Sequence, residues 1–363
     1  MNANPSRKHL VLLGTGRAHL HVLKSLARQG TGGSVVTLVA PYPYYVEPAL
    51  LPGYVAGDYT LQDIRVPLAR LIEASGVGFV SAHVHSLDPA GRRVQLSSGD
   101  ALPYDVLSID AEPAFDRDRV EVQIPGARHN ALFTRPLENF VQLWPQLQAL
   151  ARARGLQVGV IGSDLFAAEL AMAAAQILAA PHGSRVTLLA GDTPLLHGQP
   201  AVLQRRVLGR LKALNVNLLQ DRCVNIDGRA LQLASGASLM CDAPIIASGA
   251  DLPGWLRQSG IQVDEAGKPV VNERLQSESH RQVFVVPPGV PGEVGVALEA
   301  NLRTAISGGA FRKVPVNLSR LKVVTCGGRH AIAVWGPLGL EGREVWNWND
   351  RRNRRQLAAL FSS

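Results

Sequence analysis

A short apolar run, His9 to Leu13, ends in Gly14-Thr15-Gly16, and a helical pattern through Leu20, Val22, Leu23, Leu26 and Ala27 follows it. A β-rich run, Val35 to Val39, comes next, at the spacing of a right-handed βαβ unit with parallel strands. The same order of signals returns later: Val158 to Ile161 runs into Gly162, Leu165 to Leu178 is Ala-rich and helical, and Arg185 to Ala190 is β-rich again. Two such openings in one chain leave few architectures. They predict an α/β fold of two Rossmann-like units.

The stretches between the openings refine this layout. Ala82 to Leu87, Arg92 to Leu96 and Val106 to Ile109 read as strands, with turns at Asp88-Pro89-Ala90-Gly91 and Ser98-Gly99-Asp100. In the second unit a helix around Val202 to Leu214 precedes strand-like Asn217 to Leu219, Ala230 to Leu233 and Pro244 to Ala250. Gln282 to Val286 reads as one more strand before a helix through Glu299 to Ile306. The simplest arrangement is a first domain, 1–145 resumed at 246–320, with a second domain, 146–245, inserted in it. A strand pair and a Trp/Arg-rich helix then make a C-terminal segment, 321–363.

Composition matters for what it excludes. With 46% hydrophobic and 18% charged residues among 363, the chain can bury a sizeable core and is not disordered. No apolar run approaches the roughly 18 residues of a spanning helix. The apolar segment behind the basic start carries Gly14, Gly16, Arg17 and His19, unlike a signal peptide. Cys223, Cys241 and Cys326 stand far apart without a CxxC, which speaks against a disulfide scaffold or Cys-ligated zinc and suits a reducing compartment. A cytoplasmic location is expected. The net charge of +8 serves an acidic cofactor, a membrane surface or nucleic acid equally well, so it selects none of them.

The chemistry sits at the turns. A Gly-x-Gly turn between strand and helix lets backbone N–H groups approach a pyrophosphate, whose charge the helix N-terminus favours. Gly14 and Gly16 supply this turn, and His19 stands where a third glycine belongs, so the helix must approach the strand by another contact. The second strand should end in an acid that holds a ribose; Ala40 offers no acceptor there. At the second turn Gly162-x-Asp164-x-x-Ala167 places a carboxylate at the middle glycine, where it would crowd and repel a pyrophosphate. This suits a fold kept without its nucleotide at that turn.

Seven separated segments resemble, in order, the FAD-dependent pyridine nucleotide-disulfide oxidoreductase superfamily. They are Gly14 to Leu23, Leu50 to Gly57, Tyr104 to Asp110, Ile124 to Ala127, Ala247 to Ala250, Glu299 to Arg303 and Trp335 to Arg343. The likeness is greatest to the branch of type II NADH dehydrogenases, sulfide:quinone reductases and the oxidoreductase unit fused to selenide,water dikinase. The resemblance implies FAD between the first domain and its resumed half, with NAD(P)H docking from the inserted domain. It further implies that Gly14, Thr15, Gly16 and His19 face the pyrophosphate and Leu51 and Pro52 line the isoalloxazine, while Ser248, Gly249 and Gly162 border the cofactor cleft. Where such chains carry a Gly-Asp pair that binds the ribityl chain, this one has Pro287-Pro288.

No cysteine pair follows the first helix, so dithiol chemistry is not expected, and Cys223 and Cys241 read as buried thiols. His83 and His85 share a strand face and are read as solvent-facing, with no metal site expected. Gly-x-Ser-x-Gly does not occur. The tail combines Trp346, Trp348, Leu357, Leu360 and Phe361 with Arg351, Arg352, Arg354 and Arg355. It suits either a peripheral contact with the inner face of an anionic membrane or a helix that caps the first domain. Nucleic acid is not an expected partner. Three functions remain open: an FAD-dependent oxidoreductase passing electrons from NAD(P)H to a quinone-like or small acceptor without a redox cysteine pair, a family member kept as a binding or regulatory module, or, by family analogy alone, a selenium-associated partner. A small-molecule electron acceptor is the partner of the first.

Overall fold

The computed structural model describes residues 7–111, 113–178, 182–249, 252–265, 267–287, 294–314 and 321–361. Two five-stranded, all-parallel sheets organise it. The first runs in space Val283–Val285, Val106–Ile109, His9–Leu13, Val35–Ala40, Gly78–Ser81. The second runs Leu132–Phe133, Ala243–Ile246, Gln157–Ile161, Arg185–Leu189, Asn217–Leu219. Each opening strand lies between the strand that follows it and the strand that closes its unit. In both sheets the order therefore reverses beside the glycine turn, which is where parallel sheets hold ligands.

Burial follows from this layering. Leu10, Val11, Leu12 and Leu13 are all buried because both faces of the sheet are covered: Leu10 and Leu12 pack with Leu20 and Leu23 on the helix side, Val11 and Leu13 with Leu87, Val94 and Leu96 on the other. The helix Leu165–Leu178 packs against its own sheet, the short helix Leu51–Val55 and the strand Leu321–Thr325, and it buries nine of its residues. Contact on nearly every side is what an Ala-rich helix permits.

Sheet membership differs from the expected cuts. The 145/146 boundary falls inside the helix Leu137–Arg154, and the second sheet begins earlier, at Leu132–Phe133. A two-residue edge strand carries no periodicity, so nothing in the sequence announces it. The closing strand of the second sheet includes Ile246. Each unit also carries a three-stranded antiparallel sheet before its closing strand: Val84–Asp88, Arg93–Leu96 and Ala101–Pro103 in the first, Cys223–Asp227, Ala230–Leu233 and Ser238–Met240 in the second. In the C-terminal segment the expected strand pair is three strands, Leu321–Thr325, Ala331–Trp335 and Leu338–Gly342. The third contains Gly339 and Gly342, which conceal it as a loop.

The C-terminal helix, Arg343–Phe361, lies on the body of the first domain. It buries Trp346, Asn353, Leu357 and Leu360. Trp346 stacks on Tyr59 with ring centroids 6.0 Å apart, and Arg17 reaches Gln356 at 3.4 Å. Its capping role is thus built in, while Arg351, Arg352, Arg355 and Trp348 stay exposed on the other side. Among the described residues no helix is long and apolar enough to cross a membrane.

Candidate functional site

The first crevice opens between the ends of His9–Leu13 and Val106–Ile109. Gly14 turns the chain at φ +92° and donates its N–H to Val39 O at 2.9 Å. A side chain there would be strained and would stand 2.5 Å from the Asp110 carbonyl oxygen, so glycine is required twice over. Gly16 N–H donates to that carbonyl at 3.1 Å. Gly16 itself has an ordinary φ of −59°; it is glycine for room, and the room is taken by the Asp110 carboxylate, with which a Cβ would collide. Asp110 Oδ2 accepts the His19 N–H at 3.0 Å. A buried carboxylate thus caps the helix Arg17–Gln29 from a neighbouring strand.

The turn's one basic side chain is committed as well. Arg17 donates to Glu47 Oε2 from Nη2 at 2.7 Å and Nε at 3.1 Å, and Tyr45 Oη donates to the same oxygen at 3.3 Å. Glu47 is buried, so the pair faces inward.

The His19 amide meets Asp110 at the turn, but its ring does not face the cleft. Its ring is fully buried, with Nδ1 2.8 Å from Gly14 O and Nε2 2.8 Å from Ser108 Oγ. Burial pushes the imidazole below its ordinary pKa against the pull of Asp110, so the neutral ring bridges helix and sheet. This is the contact that replaces close approach at a third glycine. Leu51 and Pro52 are buried in the main core and do not border the crevice cavity. Ala40 is buried without an acceptor side chain, Pro287 is half-buried, and Pro288 lies outside the described residues.

Gly14 and Thr15 line a cavity of about 300 Å³ with Tyr42, His83, Glu138 and Trp255. That is the small end of the range for ligand clefts, about 300–1,000 Å³. Its lining is mainly apolar. Tyr42 and His83 meet edge to face at 6.4 Å, and Tyr42 Oη donates to Asn139 Oδ1 at 2.8 Å. Glu138 is buried at the cavity edge, and burial raises its pKa. Sequence reasoning missed Asp110 as a site residue, and with it Glu138, Tyr42 and Trp255; the position of Asp110 at the end of the closing strand was the available signal.

The second crevice brings Gly162 and Ser248 together. A Cβ on Gly162 would collide with Ser248 Oγ, which is buried and finds no hydrogen-bond partner among the described residues. Gly249, at φ +91°, is exposed beside it. Asp164 turns back on its own helix: its Oδ1 accepts the Ala167 N–H at 2.9 Å, an N-cap. One turn further along, Glu169 Oε1 accepts the Thr325 N–H at 2.7 Å, and burial pushes the carboxyl up to about 7.

All three thiols are buried and free. Burial pushes Cys223 and Cys241 up to about 11, and Cys326, against Glu169, higher still. None of the three borders the crevice cavity.

Residues 8–288 match the family of pyridine nucleotide-disulphide oxidoreductases. The chain belongs to that family. A sulfide-quinone reductase of Aquifex aeolicus is 30% identical over 106 residues, 29% of this chain and 24% of that protein. A type II NADH:quinone oxidoreductase of Staphylococcus saprophyticus is 28% identical over 104 residues, 28% of this chain and 26% of that one. These alignments span about a quarter of each relative. The fold likeness is longer. The sulfide:quinone oxidoreductase structure from Aquifex aeolicus has a TM-score of 0.75 at 18% identity, covering 97% of this chain and 91% of that one. NDH2 from Plasmodium falciparum in complex with NADH has a TM-score of 0.77 at 11% identity, covering 98% and 97%.

The family's cofactors are flavin and nicotinamide nucleotides. As folded here, the first turn does not fit a pyrophosphate. The place against Gly16 where a phosphate would approach holds the Asp110 carboxylate, His19 N–H is already given to it, and Arg17 is turned onto Glu47.

Proposed function

We propose that the protein is an FAD-dependent oxidoreductase passing electrons from NAD(P)H to a quinone-like or small acceptor, with no thiol relay and with its flavin held loosely. The supporting observation is the pair of matched crevices, each with a glycine turn at the reversal of strand order, in a chain whose family match covers both sheets. The buried, protonated thiols support the absence of a relay, because the thiolate is the reactive form. An anionic membrane surface is the partner this reading brings. Trp335, Leu338, Leu340 and Trp348 are exposed in the C-terminal segment, and Arg351, Arg352 and Arg355 flank them in sequence.

The test is NAD(P)H oxidation with a soluble quinone, with and without added FAD, alongside the visible spectrum of the protein. Turnover that depends on added FAD and survives Cys326→Ser is expected. Absence of both a flavin band and turnover at saturating FAD defeats this reading. It would favour a non-catalytic module, a reading that the carboxylate caps on both turns support.

A further inference from the structure

Strand register makes the two crevices comparable residue by residue. Leu13 pairs with Ile109, and Ile161 with Ile246. Gly14 therefore matches Gly162, and Asp110 matches Ala247. The backbone agrees: Gly14 N–H donates to Val39 O and Gly162 N–H to Leu189 O, while Asp110 N–H donates to Leu13 O and Ala247 N–H to Ile161 O. Counting along each turn, Gly16 falls on Asp164 and His19 on Ala167. The amide of the last pair is capped by a carboxylate in both cases, from Asp110 in one crevice and Asp164 in the other.

In the first crevice the acid is not part of the helix it caps, and it occupies the space that Gly16 leaves open. An anion at that place satisfies the amide, complements the helix dipole and repels a second anion. We infer that Asp110 sets the affinity of the first crevice for phosphate-bearing cofactors: its carboxylate stands where the pyrophosphate would, and FAD binds by displacing it. Binding is then weak and exchangeable. This inference rests on the FAD reading above and adds the residue that governs it.

The experiment compares FAD, ADP and adenosine binding to the full-length protein and its Asp110→Asn and Asp110→Ala variants. Flavin fluorescence reports FAD, and tryptophan fluorescence reports the other two, since Trp255 lines the cavity. Both substitutions should tighten FAD and ADP by about tenfold or more, close to 1.4 kcal/mol. Adenosine, which has no phosphate, should bind all three proteins alike. Far-UV circular dichroism verifies folding, and the near-isosteric Asn variant decides the matter alone if the Ala variant unfolds.

Wild-type protein that retains FAD as tightly as the variants overturns the role of Asp110 and leaves the enzyme reading standing. Failure of all three proteins to take up FAD or ADP overturns both. Adenosine tightening as much as ADP also overturns the inference, because Asp110 would then act through the shape of the cavity rather than its charge.

Discussion

Two crevices of one architecture meet the same need by opposite routes. Each leaves an amide at the start of a helix that requires an acceptor, and each supplies a carboxylate. In the inserted domain Asp164 bonds three residues along its own helix start. In the first domain the helix keeps Gly16, and Asp110 arrives from a strand 91 residues away. The local cap is part of the helix and stays with it. The distant cap is separable, so only the first crevice can be emptied by moving a side chain on another element.

The largest test of this contrast is at the leading glycines. Gly14→Ala sets a positive φ and a backbone collision against each other and should cost on the order of 3–5 kcal/mol in urea denaturation. Gly162→Ala meets only the side chains of Ser248 and Ala167 and should cost clearly less. Equal losses would mean that the two turns are built alike.

Next is pH, because the second helix carries buried Glu169 seven residues after its glycine, where the first helix carries His21. The folded-state pKa, about 7, lies above the ordinary 4.5. The unfolded chain therefore binds fewer protons between those values, and stability falls as pH rises through that window, then levels off above it. Glu169→Gln should remove a slope worth on the order of 2–3 kcal/mol, read from urea midpoints at pH 4.5 and pH 8. An unchanged slope would place the titration elsewhere.

Coupling across the first crevice is the third test. Gly16→Ala should cost about 1–3 kcal/mol in the wild-type protein, since the new Cβ strikes the Asp110 carboxylate. In an Asp110→Ala background most of that cost should vanish, an interaction of on the order of 1 kcal/mol or more. Strict additivity would show that Asp110 does not fill the space over Gly16. The smallest effect is expected from Asp164→Ala, which removes a local N-cap worth about 1 kcal/mol in thermal or chemical unfolding. A loss several times larger would give Asp164 a reach beyond its own helix.

Legibility followed distance along the chain. The opening strand, its glycine turn and the helix to Gln29 announce themselves through apolar period and Gly14, and so does the second copy from Gln157 to Leu178. Leu132–Phe133 and Leu338–Gly342 did not, because one is too short for a period and the other is interrupted by glycines. His19 reads from the sequence as an odd third position, and the sequence does not show that its amide meets Asp110 while its ring turns inward. Gly14 O and Ser108 Oγ, its two partners, come together only when the strands align. Leu51 and Pro52 were assigned to a cleft by resemblance, whereas packing against the helix Leu165–Leu178 buries their segment.

The amino-acid order thus determined what depends on neighbours a few residues away: two βαβ openings, their parallel sheets, the glycine needed at position 14 and the thiols' distance from one another along the chain. The tertiary structure alone decided which anion sits at the first helix. That outcome depends on the register of Val106–Ile109 against His9–Leu13, which carries Asp110 to the amide of His19. Side-chain alternation and turn chemistry act over a few residues, whereas an electrostatic cap acts through space, and only the folded sheet brings its two ends within a hydrogen bond's length.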